Sequence, residues 1–207
     1  ENHLALALSG EWVQQDWQGK AEKVNYFHLK GALDHLFESL SLVDYITYQA
    51  STDIKEMHPG RTATIYLGEQ YIGFIGQVHP TTAKAYDIPE TYVAEINVEA
   101  IIAYEKTFVY QPVSKFPSVS RDIALLVEET VTNQAIVQVI QAAAGKYLTD
   151  VTIFDVYQGE NIEKGHKSLA YSLTFANPEA TLTDEEINLA MEKVTKRLTD
   201  ELSAVIR

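Results

Sequence analysis

The sequence contains no cysteine, and its charges are mostly of one sign, with 16 Lys and Arg against 29 Asp and Glu in 207 residues. The lack of cysteine excludes disulfides, thiolate nucleophiles and cysteine-ligated zinc sites. The formal net charge of −13 argues against non-specific binding to nucleic acid or to an anionic membrane over a wide surface. A small, locally basic RNA site remains compatible with this charge.

Long apolar runs, processing signals and common catalytic motifs are also missing. No stretch approaches the roughly 18 apolar residues of a membrane-spanning helix, and the chain begins without an initiator Met or a signal-peptide pattern. The sequence has no Walker glycine loop, G-x-G-x-x-G, H-E-x-x-H or G-x-S-x-G, and its six histidines lack metal-ligand spacing. We therefore expect a cytoplasmic protein, either a processed product or a piece of a longer chain, with no membrane contact, catalytic residue, metal site or cofactor of its own.

A proline-containing stretch divides the chain into two halves. Residues 108–118 include Pro112 and Pro117 and show neither helical nor strand periodicity, which is typical of a linker. Residues 1–112 carry a net charge of −8 and residues 113–207 a net charge of −5. We predict two domains with these bounds.

The first half is rich in strand patterns joined by short turns. We predict strands over 3–9, 45–50, 62–67, 71–78 and 92–98, a helix over 26–40, and a short helix that begins at Pro80. We therefore expect a largely antiparallel sheet with flanking helices.

The second half alternates strand and helix patterns. We predict strands over 121–127, 152–157, 169–175 and 204–207. We also predict a helix from about Asn133 that ends before Gly145 as its C′ residue, and a helix from a capping box at Thr183 to about Leu202. The order βαββαβ is that of the ferredoxin-like fold.

Strand alternation divides the side chains of this second sheet between a helix-covered face and an open face. The helix-covered set is predicted to be Ile123, Leu125, Val127, Phe154, Val156, Leu169, Tyr171, Leu173 and Phe175. The open set is then Asp122, Ala124, Leu126, Ile153, Asp155, Tyr157, Ser168, Ala170, Ser172 and Thr174. A shallow floor with one ring and one carboxylate suits a planar polar ligand such as a nucleobase. An ordinary solvated sheet face with a surface tyrosine is the alternative that the composition leaves open.

Several basic side chains lie near the predicted strand ends, where a phosphate backbone could pass. They are Lys115, Arg121, Lys164, His166 and Lys167.

Ordered motifs along the second half resemble the ferredoxin-fold anticodon-binding domain that closes the beta subunit of bacterial phenylalanyl-tRNA synthetases. The motifs are Phe-Pro at 116–117, Arg-Asp-Ile-Ala at 121–124, Phe-Asp-Val-Tyr-Gln-Gly at 154–159, Gly-His-Lys-Ser-Leu-Ala at 165–170 and Thr-Leu-Thr-Asp-Glu-Glu at 181–186. In this family, the open sheet face stacks and reads the first anticodon base. The matching positions here are Ala124, Asp155, Tyr157 and Ser168. Arg121 and Lys167 match flanking positions, for which the resemblance implies phosphate contacts.

The first half resembles the end of the catalytic-like module of the same subunit. The similarity rests on His58, Pro59, Gly60 and Arg61 and on Gly-Phe-Ile-Gly-Gln-Val-His-Pro at 73–80. From the residues alone, a turn explains Pro59 and Gly60, and an interface role stays open for His58 and Arg61. The resemblance implies an α+β protein, with a non-catalytic class II synthetase-like (B6-B7-type) antiparallel sheet domain over 1–112 and a ferredoxin-like anticodon-binding domain over 113–207.

The resemblance also implies partners and chemistry. In the family, ATP-dependent attachment of phenylalanine to tRNA-Phe takes place on the alpha subunit of an alpha2beta2 tetramer, with ATP and Mg²⁺, while editing and further tRNA-binding parts lie upstream in the beta subunit. The class II catalytic stretch G-x-G-x-G-x-x-R is absent here. We therefore expect a C-terminal beta-subunit fragment that supports the alpha subunit and recognises the anticodon, is itself non-catalytic, and has no DNA partner.

Other functions remain as alternatives. A ferredoxin-like small-molecule regulatory module often has a glycine-rich first loop, whereas residues 128–132 contain no glycine. An RRM-type RNA binder carries aromatic side chains on its middle strands, where this chain has Ser168, Ala170 and Ser172. A free-standing enzyme has no supporting set of residues.

Overall fold

The computed structural model describes residues 1–17, 19–105, 114–159 and 162–207. The chain divides into two compact units, Glu1–Phe108 and Val109–Arg207. The predicted linker over 108–118 and the predicted boundary between residues 112 and 113 fall largely on residues 106–113, outside the described ranges, and both stay predictions. Within the described ranges, no helix is long and apolar enough to cross a membrane.

The first unit is built mainly from strands. These are β1 His3–Ser9, β2 Glu11–Val13, β3 Glu22–Lys23, β4 Ile46–Ala50, β5 Met57–Leu67, β6 Gln70–Val78 and β7 Thr91–Asn97. The helices are α1 Tyr26–Ser39, α2 Pro80–Ala85 and α3 Val98–Ala103. An antiparallel sheet has the order β1-β7-β6-β5-β4, and β2 pairs with β3 separately. The predicted antiparallel sheet with flanking helices is confirmed, whereas β2, β3 and α3 were not predicted.

Helix α1 covers one face of this sheet. It begins at a reciprocal cap, in which Asn25 Oδ1 accepts from the backbone N–H of Phe27 and His28, and His28 Nδ1 accepts from the Asn25 N–H. Its buried side chains are Leu29, Leu33 and Phe37. Each contributes about 1.5–3 kcal/mol through burial, so packing against the sheet, more than intrinsic helix propensity, holds α1 in place.

The second unit has the predicted order of elements. Its strands are β8 Val119–Glu128, β9 Leu148–Tyr157, β10 His166–Phe175 and β11 Val205–Ile206, and its helices are α4 Asn133–Ala144 and α5 Asp184–Leu202. The sheet is antiparallel with the order β11-β8-β10-β9. This arrangement confirms the ferredoxin-like βαββαβ fold. The predicted capping box of α5 is also present, since Thr183 and Glu186 each accept from the other's backbone N–H.

Both helices of the second unit belong to its hydrophobic core and leave the opposite side of the sheet open. Alternate residues of β8 and β10 are buried in this core, as predicted. They are Ile123, Leu125, Val127, Leu169, Tyr171, Leu173 and Phe175. The side chains between them form the open face.

Strand β9 departs from simple alternation. Asp155 pairs with Ala170 and Ile153 pairs with Tyr171, so Phe154 is an extra residue with no partner on β10. This β-bulge shifts the alternation by one residue. The prediction that Phe154 packs under the helices is therefore wrong, because its side chain is 58% exposed. Ile153 is likewise not on the open face but packs against the core.

Val156 needs a separate correction. It pairs with Leu169, which places it on the helix-covered side of the sheet as predicted. Its side chain is nevertheless exposed, so it contributes little to the core.

Candidate nucleic-acid interface

Two adjacent rows of the second sheet bring together the four predicted base-contacting residues. Tyr157 pairs with Ser168 in one row, and Asp155, Ala170 and Ala124 form the next. Residues that pair across antiparallel strands project to the same face. The four predicted positions therefore share one small area of the open face.

The row with Asp155, Ala170 and Ala124 crosses three strands, a width of roughly 10 Å at the usual strand spacing. Ala124 and Ala170 provide a floor that rises only one methyl group above the backbone. Asp155 and Tyr157 are exposed at the edge strand β9. The area can thus hold a flat ring against its floor, with an aromatic face and a carboxylate at one side.

Glu129 forms hydrogen bonds with three residues at the edge of this area. Its carboxylate accepts a hydrogen bond from Gln158 Nε2 at 2.7 Å, and its backbone carbonyl accepts one from Lys167 Nζ at 2.9 Å. Its own N–H donates to the carbonyl of Gly165 at 2.8 Å. These bonds connect the end of β9 with the start of β10 and with the loop that follows β8.

The two predicted phosphate contacts are not brought to the open face. Arg121 pairs with Leu173 on the helix-covered side, and its Nη2 lies 3.1 Å from Asp184 Oδ1 in the first turn of α5. Lys167 pairs with Val127 on the same side. A phosphate contact by either residue stays a prediction, and it requires these long side chains to extend past the edges of the sheet.

A cation that the sequence reasoning missed lies next to the open face. The backbone N–H of Arg207 donates to the carbonyl of Ala124 at 2.9 Å, directly after β11. Val205 pairs with Leu126 of the open face, so alternation places Arg207 on that face too. The signal was available, since the predicted strand over 204–207 has this alternation.

The rest of the open face is acidic or neutral. By their pairing along β8 and β10, Asp122, Glu128 and Asp150 lie on the same side as Asp155. These carboxylates oppose a wide footprint of phosphates. Recognition on this face has to come mainly from the ring and the polar edge of a base.

In the first unit, residues 58–61 form an irregularity within strand β5, where a turn was predicted for Pro59 and Gly60. Met57 pairs with Val78 and Thr62 with Gly76, so four residues of β5 face only Gln77 of β6. His58 Nδ1 accepts from the Gly60 N–H at 3.1 Å, which shapes the backbone there. Arg61 Nη1 donates to the buried Gln77 at 2.8 Å.

A metal centre finds no support in the described part of the chain. Among the residues that the structure describes, no three His, Asp or Glu side chains are grouped so that they could hold a metal ion.

Two family models match the chain, one within each unit. Residues 1–98 match the phenylalanyl tRNA synthetase beta chain CLM domain, and residues 114–207 match the ferredoxin-fold anticodon binding domain. Neither match supports a small-molecule regulatory module.

Among known proteins, the chain is similar to phenylalanine–tRNA ligase beta subunits. It is 51% identical to those of Streptococcus pyogenes serotype M1 and Streptococcus pneumoniae strain R6 over 100% of its length, and 48% identical to that of Lactiplantibacillus plantarum over 99%. It spans 26% of the length of each of these relatives. With both domain families matched in order and about half of its residues identical over its whole length, the chain belongs to the family of phenylalanine–tRNA ligase beta subunits.

Proposed function

We propose that this chain acts within a phenylalanine–tRNA ligase and that the open face of its second unit binds the first base of the tRNA-Phe anticodon. The observation that carries the proposal is the grouping of Tyr157, Asp155, Ser168 and Ala124 in two adjacent rows of an exposed sheet face. The match of this unit to anticodon binding domains supplies the class of ligand.

The chemistry of the area favours guanine. A phenylalanine anticodon usually begins with G, whose Watson–Crick edge offers N1–H and N2–H₂ as donors. The carboxylate of Asp155 accepts hydrogen bonds only, so it is complementary to these two donors. Tyr157 provides a stacking surface, and the hydroxyl of Ser168, in the paired position on β10, adds a further polar contact.

The first unit is proposed to support the alpha subunit rather than to catalyse. Large apolar side chains are exposed around β2 and the start of α1, as interfaces require. Trp12 is 53% exposed and stacks on His28, while Trp17 and Phe27 are 90% and 75% exposed. We propose that aminoacylation with ATP and Mg²⁺ occurs on the alpha subunit, in a cytoplasmic alpha2beta2 enzyme.

Two aromatic residues of β9 give a matched test of the proposed base site. In the whole enzyme, Tyr157→Ala is expected to lower kcat/KM for charging tRNA-Phe by about 5- to 150-fold, the equivalent of about 1–3 kcal/mol of base stacking. Phe154→Ala removes an exposed ring from the same strand, outside the paired rows, and is expected to leave charging unchanged. Steady-state charging assays compare both variants with the unmodified enzyme.

Equal charging by the Tyr157→Ala and Phe154→Ala enzymes would contradict the assignment of the base site. Both variants are expected to lower the free energy of unfolding by no more than about 1 kcal/mol, since neither ring belongs to the hydrophobic core.

A further inference from the structure

The ring of Tyr157 lies directly against the backbone of Gly159. A Cβ atom built at Gly159 would lie 2.6 Å from Tyr157 Cζ and 3.2 Å from Cε1, and closer still to the hydroxyl oxygen. Non-bonded carbon atoms prefer separations of about 3.5–4.0 Å. Any side chain at residue 159 therefore competes with the ring for the same space.

The requirement at Gly159 is for space and not for an unusual backbone. Gly145 and Gly165, which flank the same strands, have positive φ values of 81° and 84° and so favour glycine for conformational reasons. Gly159 is not among the glycines with positive φ. Alanine could adopt its backbone conformation, and the Tyr157 ring is what it would meet.

The chain that precedes Gly159 is held by its neighbours, so the ring is the part that gives way. Tyr157 is paired with Ser168 across the sheet. Gln158, between the tyrosine and the glycine, is anchored by its side-chain hydrogen bond to Glu129. Because the strand end is fixed in this way, rotation of the Tyr157 side chain is the least costly way to accommodate a Cβ at residue 159.

We propose that Gly159 is a positioning residue for the base site, since its lack of a side chain allows the Tyr157 ring to lie back over the chain in its stacking position. This inference rests on the proposed function of the open face. Gly159 is proposed to make no contact with RNA, and it is not part of the hydrophobic core. It acts only through the position of the Tyr157 ring.

Four variants of the whole ligase test the inference: Gly159→Ala, Tyr157→Ala, the double variant, and Gly31→Ala as a control. A Cβ at Gly31, in α1 of the first unit, would meet nothing within 4 Å. Gly159→Ala is expected to lower kcat/KM for charging tRNA-Phe by at most the factor for Tyr157→Ala, about 5- to 150-fold. The double variant is expected to be no worse than Tyr157→Ala alone, and Gly31→Ala to charge normally. Thermal unfolding is expected to stay unchanged in the three variants of the second unit, whereas Gly31→Ala, in the interior of α1, is expected to raise the unfolding temperature slightly.

Each contrary outcome has a separate meaning. If Tyr157→Ala charges tRNA normally, the proposed base site is wrong. If Tyr157→Ala lowers charging while Gly159→Ala does not, the base site stands and the role of Gly159 is overturned. If the two losses multiply in the double variant, or if Gly159→Ala lowers the unfolding temperature more than Tyr157→Ala does, the glycine acts other than through the ring, and the inference is again overturned.

Discussion

Two arginines of the second unit differ in the groups that already contact them. The guanidinium of Arg121 is engaged with Asp184, whose side chain is largely exposed. Such an exposed ion pair stabilises the fold by about 1 kcal/mol at most. Arg207 has its backbone fixed to Ala124 on the open face, where a phosphate next to the bound base could reach its side chain.

We therefore expect Arg207→Ala and Arg121→Ala to differ in tRNA binding. Arg207→Ala should weaken binding and make the salt dependence of log Kd shallower by roughly one unit, because one phosphate contact is lost. Arg121→Ala should change both quantities less, because the guanidinium of Arg121 is already engaged with Asp184. Binding of tRNA-Phe to the whole enzyme, measured at several salt concentrations, checks both variants. Equal salt slopes in the Arg207→Ala and unmodified enzymes would remove Arg207 from the interface.

For single residues, the sequence was informative about the face to which a side chain points, and less so about the partner that the end of a long side chain meets. Tyr157, Asp155, Ser168 and Ala124 have directions that follow from strand alternation, and they lie on the open face as predicted. The guanidinium of Arg121 lies at the end of a long side chain, and its partner, Asp184, comes from a helix more than sixty residues further along the chain. A pairing of this kind depends on tertiary packing, which strand alternation does not encode.

At the scale of single elements, the bulge in β9 is the feature that the sequence did not reveal. A regular alternation from Thr152 to Tyr157 predicted Phe154 inside and Ile153 outside. In the structure, Phe154 is exposed and Ile153 packs against the core. Asp155 and Tyr157 come after the extra residue and keep their predicted places on the open face. An apolar run such as Ile153 and Phe154 is compatible with either arrangement, so periodicity alone could not locate the extra residue.

This reversal changes the expected cost of two substitutions in the second unit. Phe154→Ala should lower the free energy of unfolding by about 1 kcal/mol or less, because the ring is already exposed. Tyr171→Ala should lower it by about 3–5 kcal/mol, since the side chain is fully buried. Denaturant unfolding of the chain measures both. A loss for Phe154→Ala as large as that for Tyr171→Ala would mean that the bulge is misplaced.

The buried phenol of Tyr171 also makes stability depend on pH. Its hydroxyl donates to Asn133 Oδ1 at 2.7 Å, and burial raises the pKa of Tyr171 to about 12. A phenol in the unfolded chain titrates near pH 10. The folded state therefore keeps the proton more tightly, and this contribution is fully present below about pH 10 and lost as the pH rises towards about 12.

We expect the free energy of unfolding to fall by about 2 to 3 kcal/mol over this range on account of Tyr171. The Tyr171→Phe chain has no phenol at this position and should show a shallower decline. Denaturant unfolding of both chains at several pH values between about 9 and about 12 tests this. Parallel declines in the two chains would show that the Tyr171 hydroxyl does not carry the effect.

At the scale of the whole molecule, the net charge of −13 and the proposed RNA contact are compatible if recognition is local. The open face itself carries several carboxylates beside the proposed base site. A large phosphate footprint would be repelled by this charge, whereas a single base can still be bound by stacking and by its polar edge. Tight binding of tRNA would then depend on other parts of the enzyme.

The fold class of both units could be predicted because their elements are signalled locally. Capping residues, strand alternation and turn residues defined most helices and strands of the chain. The small ribbon of β2 and β3 was not predicted, since strands of two and three residues leave no periodic pattern. The irregularity at residues 58–61 was missed because register is a property of two strands and is not visible in either one alone.

The most direct test of the proposed base reading pairs a change in Asp155 with a change in the base. Asp155→Asn keeps the size of the side chain but replaces one acceptor oxygen with a donor. Charging of tRNA-Phe with its natural first anticodon base G, and of the same tRNA with A at that position, is measured as kcat/KM with both enzymes, which gives a double-mutant cycle. Asp155→Asn is expected to lower charging of the G-containing tRNA by about 5- to 150-fold, by analogy with the 1–3 kcal/mol of a base-edge contact in DNA, and to have little effect on the A-containing tRNA. Equal losses on both tRNAs, or improved charging of the G-containing one, would contradict the reading of this base by Asp155.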